Sequence, residues 1–287
     1  MSTALLATNA ISAVFEYDFL RRALIAAVLV GITAPAVGVF LLQRRLALIG
    51  DGIGHVAVTG VALGLVLNRA PVVVAVVVAV AGAIAVEVVR SLSDTSGEIA
   101  LAVLFYGGIA GGVVLVSKAP SGSRNLTQYL FGSITTTSNG DLIVFAVLAT
   151  VVLATVVLLG PALFTVSNDE EFARVLGLPV MAINVLLATL TALTVVVSMR
   201  VVGVLLVSAL MVVPVAAAQL FARSFRGTCI AAVLLAVISA VVGVIVSYAA
   251  DLPSGGTIVL VAIGLFVCSL IVSGLLAGGR LRGVNRG

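Results

Sequence analysis

The sequence predicts an all-α polytopic membrane protein with eight or nine transmembrane helices. Three observations carry this. Of the 287 residues, 62% are hydrophobic and 9% charged, where soluble domains hold about 45–50% and about 25%. Mean hydropathy is +1.35. Apolar runs such as Val72 to Val86 are continuous, whereas β-barrel strands alternate in polarity. So few charges cannot cover a water-exposed surface, which excludes soluble and disordered classes. At about 20 residues per span, eight or nine helices use about 160–180 residues. That leaves short loops and no soluble domain, so residues 1–287 read as one transmembrane domain.

The elements follow from the apolar runs. Met1 to Asp18 is moderately polar and reads as interfacial, and no basic region precedes the first apolar stretch as a cleavable signal would require. Ala23 to Leu42 is a first span, bounded by arginine pairs at 21–22 and 44–45. Ile53 to Leu67 is a short second one, Val72 to Val89 a third, and the glycine-rich Ile99 to Val116 a fourth. The polar stretch Lys118 to Gly140 follows, with a surface helix expected over Leu126 to Ile134. Leu142 to Phe164 is a fifth span. After a charged connector come Val180 to Met199, Val201 to Phe221, Cys229 to Ala249 and Thr257 to Leu276. Cys229 and Cys268 lie in apolar runs and read as core packing.

Positive charge orients the chain. Nine spans with the tail inside place nine arginines inside, among them Arg44, Arg90, Arg174 and Arg223, against six basic residues outside. The bias supports a cytoplasmic C-terminus. If one short segment fails to cross, the count is eight and both ends lie inside. Gly107, Gly108, Gly111 and Gly112 permit close helix contact. Pro35 and Pro214 fall inside spans and are candidate hinges.

Three constellations could carry chemistry. In the run Arg44 to His55, Asp51 and His55 are spaced i, i+4, which puts both on one helix face about 6 Å apart along the axis. Ionisable groups inside an apolar run are functional candidates. A carboxylate with an imidazole suits Zn²⁺ and also Mn²⁺, and Gly50, Gly52 and Gly54 admit another backbone close by. The competing reading is an Asp–His hydrogen bond that fixes a helix end. Two ligands make a weak site, as a transport path requires, and a symmetric dimer would bring together four.

The second constellation is Ser167 to Pro179. Ser167 with Glu170 reads as a capping box. Asp169, Glu170 and Glu171 favour the first turn, and Gly177 with Pro179 marks the end. This predicts a helix of about two and a half turns, too short and charged to cross. Phe172, Val175 and Leu176 share a side that needs a partner, either a docking subunit or the membrane surface. The third is Val201 to Gln219, a proline-containing helix dense in small residues, which suits either a pathway wall or a buried packing helix. No GxxxxGK[ST], HExxH or GxSxG occurs. This chain therefore has no P-loop for ATP, and the hydrolase readings weaken.

The run Gln43-Arg44-Arg45-Leu46-Ala47-Leu48-Ile49-Gly50-Asp51-Gly52-Ile53-Gly54-His55-Val56-Ala57 resembles the N-terminal signature of the membrane permeases of bacterial zinc/manganese ABC importers. Tyr129 to Ile134, Ala173 to Gly177 and Gly203 to Pro214 are similar to further motifs of that family, in the same order. The resemblance runs from about Phe19 to Leu276. It implies a type II-like importer permease working as a homodimer with two cytoplasmic ATP-binding subunits and an extracytoplasmic metal-binding protein, in the inner membrane and among its lipids, without nucleic acid. It implies no enzyme activity and no permanently bound cofactor; Zn²⁺ or Mn²⁺ is cargo. Asp51 and His55 map onto the family's metal path. The coupling helix maps onto Asp169, Glu170, Glu171, Phe172, Arg174, Leu176 and Gly177. The Gly-Asp-Gly-Ile-Gly-His wording looks most like zinc members. The alternatives are a cobalamin- or iron-chelate-type permease, and a secondary metal transporter that needs no ATPase.

Overall fold

The computed structural model describes residues 17–92, 97–118, 129–132, 138–200 and 202–284. The expected surface helix over 126–134 lies mainly outside them. Ten helices occur among the described residues: α1 (Asp18–Gln43), α2 (Ile49–Val66), α3 (Pro71–Leu92), α4 (Gly97–Val116), α5 (Asn139–Asn168), α6 (Glu170–Val175), α7 (Val180–Ser198), α8 (Val204–Gln219), α9 (Phe225–Ala250) and α10 (Ser254–Val284). Eight of these are long and apolar enough to cross a membrane, and α8 is a shorter apolar helix.

Side-chain contacts fix which helix ends share a side. Tyr17, before α1, lies against Tyr248 near the end of α9, with ring centroids 6.4 Å apart. Arg22 of α1 reaches Asn139 at the start of α5. Asp141 of α5 pairs with Arg200, just after α7. At the other side Arg44, Glu87, Arg90 and Glu170 meet. There Phe40 near the end of α1 packs on Phe225 at the start of α9, at 5.5 Å. Over the described residues the chain therefore alternates between the two sides through nine helices, eight of them long and apolar enough to cross and α8 shorter, and residues 17 and 284 end up on opposite sides. Helix α8 makes one of these passes although its 16 residues rise only about 24 Å, short of a hydrocarbon core of about 30 Å. It can be short because it is sheathed by α1, α2, α9 and α10, and irregular backbone at membrane depth is tolerated where protein covers it.

The inner layer is α1, α2, α7 and α8, and the other long helices turn large apolar side chains outward, as a lipid-facing surface requires. The inner helices approach closely. A Cβ on Gly38 would lie 2.0 Å from the Met211 carbonyl oxygen, so α1 and α8 meet backbone to backbone there. Pro35 and Pro214 both lie buried inside helices assigned as continuous, α1 and α8.

Several boundaries differ from those expected. The second span is not short: α2 starts at Ile49 and takes in the whole Gly50–His55 run. Helix α5 starts at Asn139 because Ser138 and Asp141 form a reciprocal capping box. The capping box expected at Ser167 and Glu170 does not form. Ser167 is buried in the last turn of α5, and Asp169 caps α6 by accepting the Phe172 backbone N–H at 2.9 Å. Asp169 can do this because it breaks the helical run with an extended backbone, φ −153° and ψ 105°. Helix α6 is accordingly six residues long, shorter than two and a half turns.

Candidate functional site

Helix α2 carries Asp51 in its first turn and His55 one turn later, and both are half-buried. The alternating glycines let neighbours in on both sides. Cβ atoms on Gly50 and Gly54 would meet Ser208 and Val204 of α8, and one on Gly52 would meet Leu104 of α4. Gly108 of α4 sits hardest against the site, where a Cβ would lie 2.7 Å from the Val56 nitrogen and 2.8 Å from the His55 carbonyl carbon. The Thr59 hydroxyl locks this contact by donating to the Gly108 carbonyl at 2.6 Å. The His55 imidazole meets Phe105 edge-on, with centroids 4.6 Å apart. The Ser208 hydroxyl donates to the Asp51 carboxylate.

The pair thus sits between α4 and α8, held by Ser208 on one side and Phe105 on the other. A carboxylate and an imidazole on one face can take a borderline divalent cation. Among the described residues, no group of three or more His, Cys, Asp or Glu side chains could hold a metal ion. Further ligands would have to come from water or from another chain. Ser208 was not singled out from the sequence, although its helix was. The only signal was that the small-residue run Gly203 to Pro214 and the glycines around Asp51 both invite close approach.

The second candidate region is α6. Its start is capped by Asp169. Its end is closed by Gly177, at φ +78°, a conformation that favours glycine. The Gly177 N–H donates to the Arg174 carbonyl and the Leu178 N–H to the Ala173 carbonyl, the paired bonds of a Schellman end. Ala173 faces inward and is fully buried, while Phe172, Val175 and Leu176 are exposed at 55, 84 and 57%. Glu171 and Arg174 are exposed as well, and Arg174 lies 3.9 Å from Glu170.

Glu170 points the other way. Its Oε1 accepts from Arg44 at 2.9 Å, Arg90 at 2.6 Å and the Asn184 amide at 3.1 Å. Arg44 also donates to Glu87 at 3.1 Å. Burial pushes the Glu170 carboxyl up, but Arg44, Arg90 and the Asn184 hydrogen bond outweigh it and hold the group below the ordinary carboxylate range. The sequence assigned Glu170 to the docking helix and missed its partners Glu87 and Asn184. The signal that existed was topological, because the orientation count already put Arg44, Arg90 and the 167–179 connector on one side.

Comparison with known proteins is decisive on kinship. The model of the ABC 3 transport family matches residues 16–273. The chain belongs to that family. It is 33% identical over 258 residues to the manganese transport system membrane protein MntC of Halalkalibacterium halodurans, covering 90% of this chain and 88% of that one. It is 31% identical over 254 residues to the high-affinity zinc uptake system membrane protein ZnuB of Haemophilus influenzae, covering 88% and 97%. Among solved structures it resembles a chain of PsaBC from Streptococcus pneumoniae in complex with Fab, with a TM-score of 0.82, 30% identity, and coverage of 91% and 94%. This ABC 3 family chain is a multi-pass membrane permease whose regular elements are all helices among its described residues.

Proposed function

We propose that this chain is the permease subunit of an ATP-driven importer that moves a divalent metal ion across the cytoplasmic membrane by alternating access. The observation that carries the reading is the Asp51–His55 pair, one turn apart on an otherwise apolar helix and packed between α4 and α8. Relatives named for manganese and zinc transport support a metal cargo. The resemblance of Gly50 to His55 to zinc members ranks Zn²⁺ first and Mn²⁺ next.

Two copies of the chain would pair so that two Asp51–His55 sets face one path and supply four ligands, a tetrahedral complement for Zn²⁺. The exposed apolar face of α6 is the seat for a separate ATP-binding subunit, with Phe172 and Leu176 as its contacts. Metal arrives from an extracytoplasmic binding protein. The side holding Arg44, Arg90 and Arg174 is cytoplasmic by the positive-inside rule, and the C-terminus with it. Pro35 and Pro214 are hinge candidates, because each lacks the N–H that would bond one turn back, and bending costs less there. The chain is a transport component, with hydrolysis in the partner.

The test is metal uptake into vesicles holding the permease, its ATPase and its binding protein, with Zn²⁺ and Mn²⁺ supplied in turn. Wild type takes up metal only with ATP, and Asp51→Asn combined with His55→Ala abolishes it. Uptake unchanged by the double variant would reduce the pair to a structural contact. Uptake that needs neither ATP nor partners would make the chain a secondary transporter.

A further inference from the structure

Four charges meet where α1, α3 and α6 end or begin, away from the metal pair. Arg44 and Glu87 side chains are 4% and 2% exposed, Arg90 20% and Glu170 31%. One Arg44 nitrogen, Nη2, bridges Glu87 at 3.1 Å and Glu170 at 2.9 Å. The two arginines balance the two carboxylates, so each charge needs the others. Removing one leaves a buried charge uncompensated, which is strongly unfavourable.

This arrangement ties α6 to the metal helix by a short route. Glu170 is on α6, and Arg44 is the C-terminal cap of α1. From Arg44 the chain reaches α2 through residues 44–48, and Asp51 lies in the next turn. This elbow is stiff. The Arg44 N–H donates to Phe40, that of Arg45 to Leu42, that of Leu46 to Leu41 and that of Ile49 to Leu46, each through a backbone carbonyl. Arg45 turns it in the left-handed region, at φ +58°. These backbone bonds link Arg44 to the first turn of α2.

The guanidinium also has room to shift. A polar cavity of about 420 Å³, lined by Gln43, Arg44, Arg45, Arg90, Ser167 and Glu170, opens beside it. Among the described residues, Arg44 Nε and Gln43 Oε1 in this region are buried without a hydrogen-bond partner.

We propose that Arg44 is a positioning residue for transport: it carries displacement of α6 from Glu170 through the 44–48 elbow to Asp51, with Glu87 as its fixed counter-charge. This rests on the reading that α6 receives an ATP-binding subunit.

The experiment measures ATP hydrolysis and Zn²⁺ uptake together, in vesicles holding the full transporter and matched for assembled complex. Arg44→Lys keeps the charge but loses the fork that bridges two carboxylates. It is expected to leave hydrolysis near wild type and to lower uptake per ATP roughly 2- to 30-fold. Zn²⁺ affinity of the solubilised permease should be unchanged. Glu87→Asp, which keeps the counter-charge but draws it one carbon back from Arg44, should lower the same ratio and decides the matter if Arg44→Lys fails to assemble. Arg223→Lys, exposed and outside the cluster, should leave the ratio intact. Proportional loss of hydrolysis and uptake in the cluster variants, or no change in either, would overturn the proposal. Absence of ATP-dependent uptake in wild type would instead overturn the importer reading beneath it.

Discussion

Ser208 and Asp51 are 157 positions apart in sequence, and the serine hydroxyl donates to the aspartate carboxylate. This bond joins α8 to the first turn of α2. Where Asp51 ligates metal as proposed, a group that orients it typically contributes 10- to 100-fold in affinity. Ser208→Ala should weaken Zn²⁺ binding to the solubilised permease by about that factor, and Ser208→Thr, which keeps the hydroxyl, should restore most of it. Equal affinities for wild type and Ser208→Ala, read by calorimetric titration, would show that the bond is packing only.

Gly108 is where α4 touches the backbone of His55 and Val56. A side chain there must push the helices apart. Gly108→Val should cost about 1–3 kcal/mol of overpacking and weaken metal binding with it. Gly264→Ala on α10, where a Cβ meets nothing within 4 Å, should be neutral or stabilising by up to about 1 kcal/mol. Thermal melting of the two variants in detergent checks the contrast; equal melting temperatures would refute it.

Phe172 and Leu176 are exposed on a helix whose other side is anchored. Truncating them should leave the permease fold intact and weaken capture of the ATP-binding subunit proposed to seat there. Loss of a buried aromatic contact at such a surface costs about 2 kcal/mol or more, so Phe172→Ala should lower affinity at least about 30-fold. Pull-down of the ATPase with unchanged permease melting is the expected pattern. A fall in melting temperature with unchanged capture would mean that the phenylalanine serves the fold instead.

Glu170 is held below the ordinary carboxylate range by Arg44, Arg90 and Asn184, against its own burial. A depressed carboxyl stabilises the folded state fully above its unfolded value, about 4.3, and loses that contribution as pH falls through the folded value. The melting-temperature gap between wild type and Glu170→Gln should therefore be constant from about pH 6 to 8 and shrink as the pH falls below about 4. A gap that first shrinks near neutral pH would point to another group.

Much of this was legible in the sequence. Apolar runs give eight or nine spans, because a helix in lipid must satisfy its backbone within itself, and eight described helices are long enough to cross, with α8 as a shorter ninth. The Asp51–His55 spacing and the α6 end at Gly177 are local patterns, and both appear in the fold. What was illegible is tertiary. Ser208 looks like any small residue in a packing helix until α8 is laid on Gly50. Glu87 reads as a span-end carboxylate until Arg44 is placed beside it. The cap of α6 shifted by two residues because Ser167 and Asp169 are both good caps, and only burial of Ser167 at the end of α5 decides between them.

A six-residue helix has no stability of its own in water, since nucleation alone outweighs so few bonds. Helix α6 escapes this because Asp169 closes one end, Gly177 closes the other and Glu170 is clamped from three elements. Its shape is settled when the permease folds, before any partner arrives. Encounter with another subunit then requires no disorder-to-order step on this side, and the loss of conformational freedom that weakens folding-on-binding contacts has already been absorbed. Any partner that seats on this ridge meets a preformed surface.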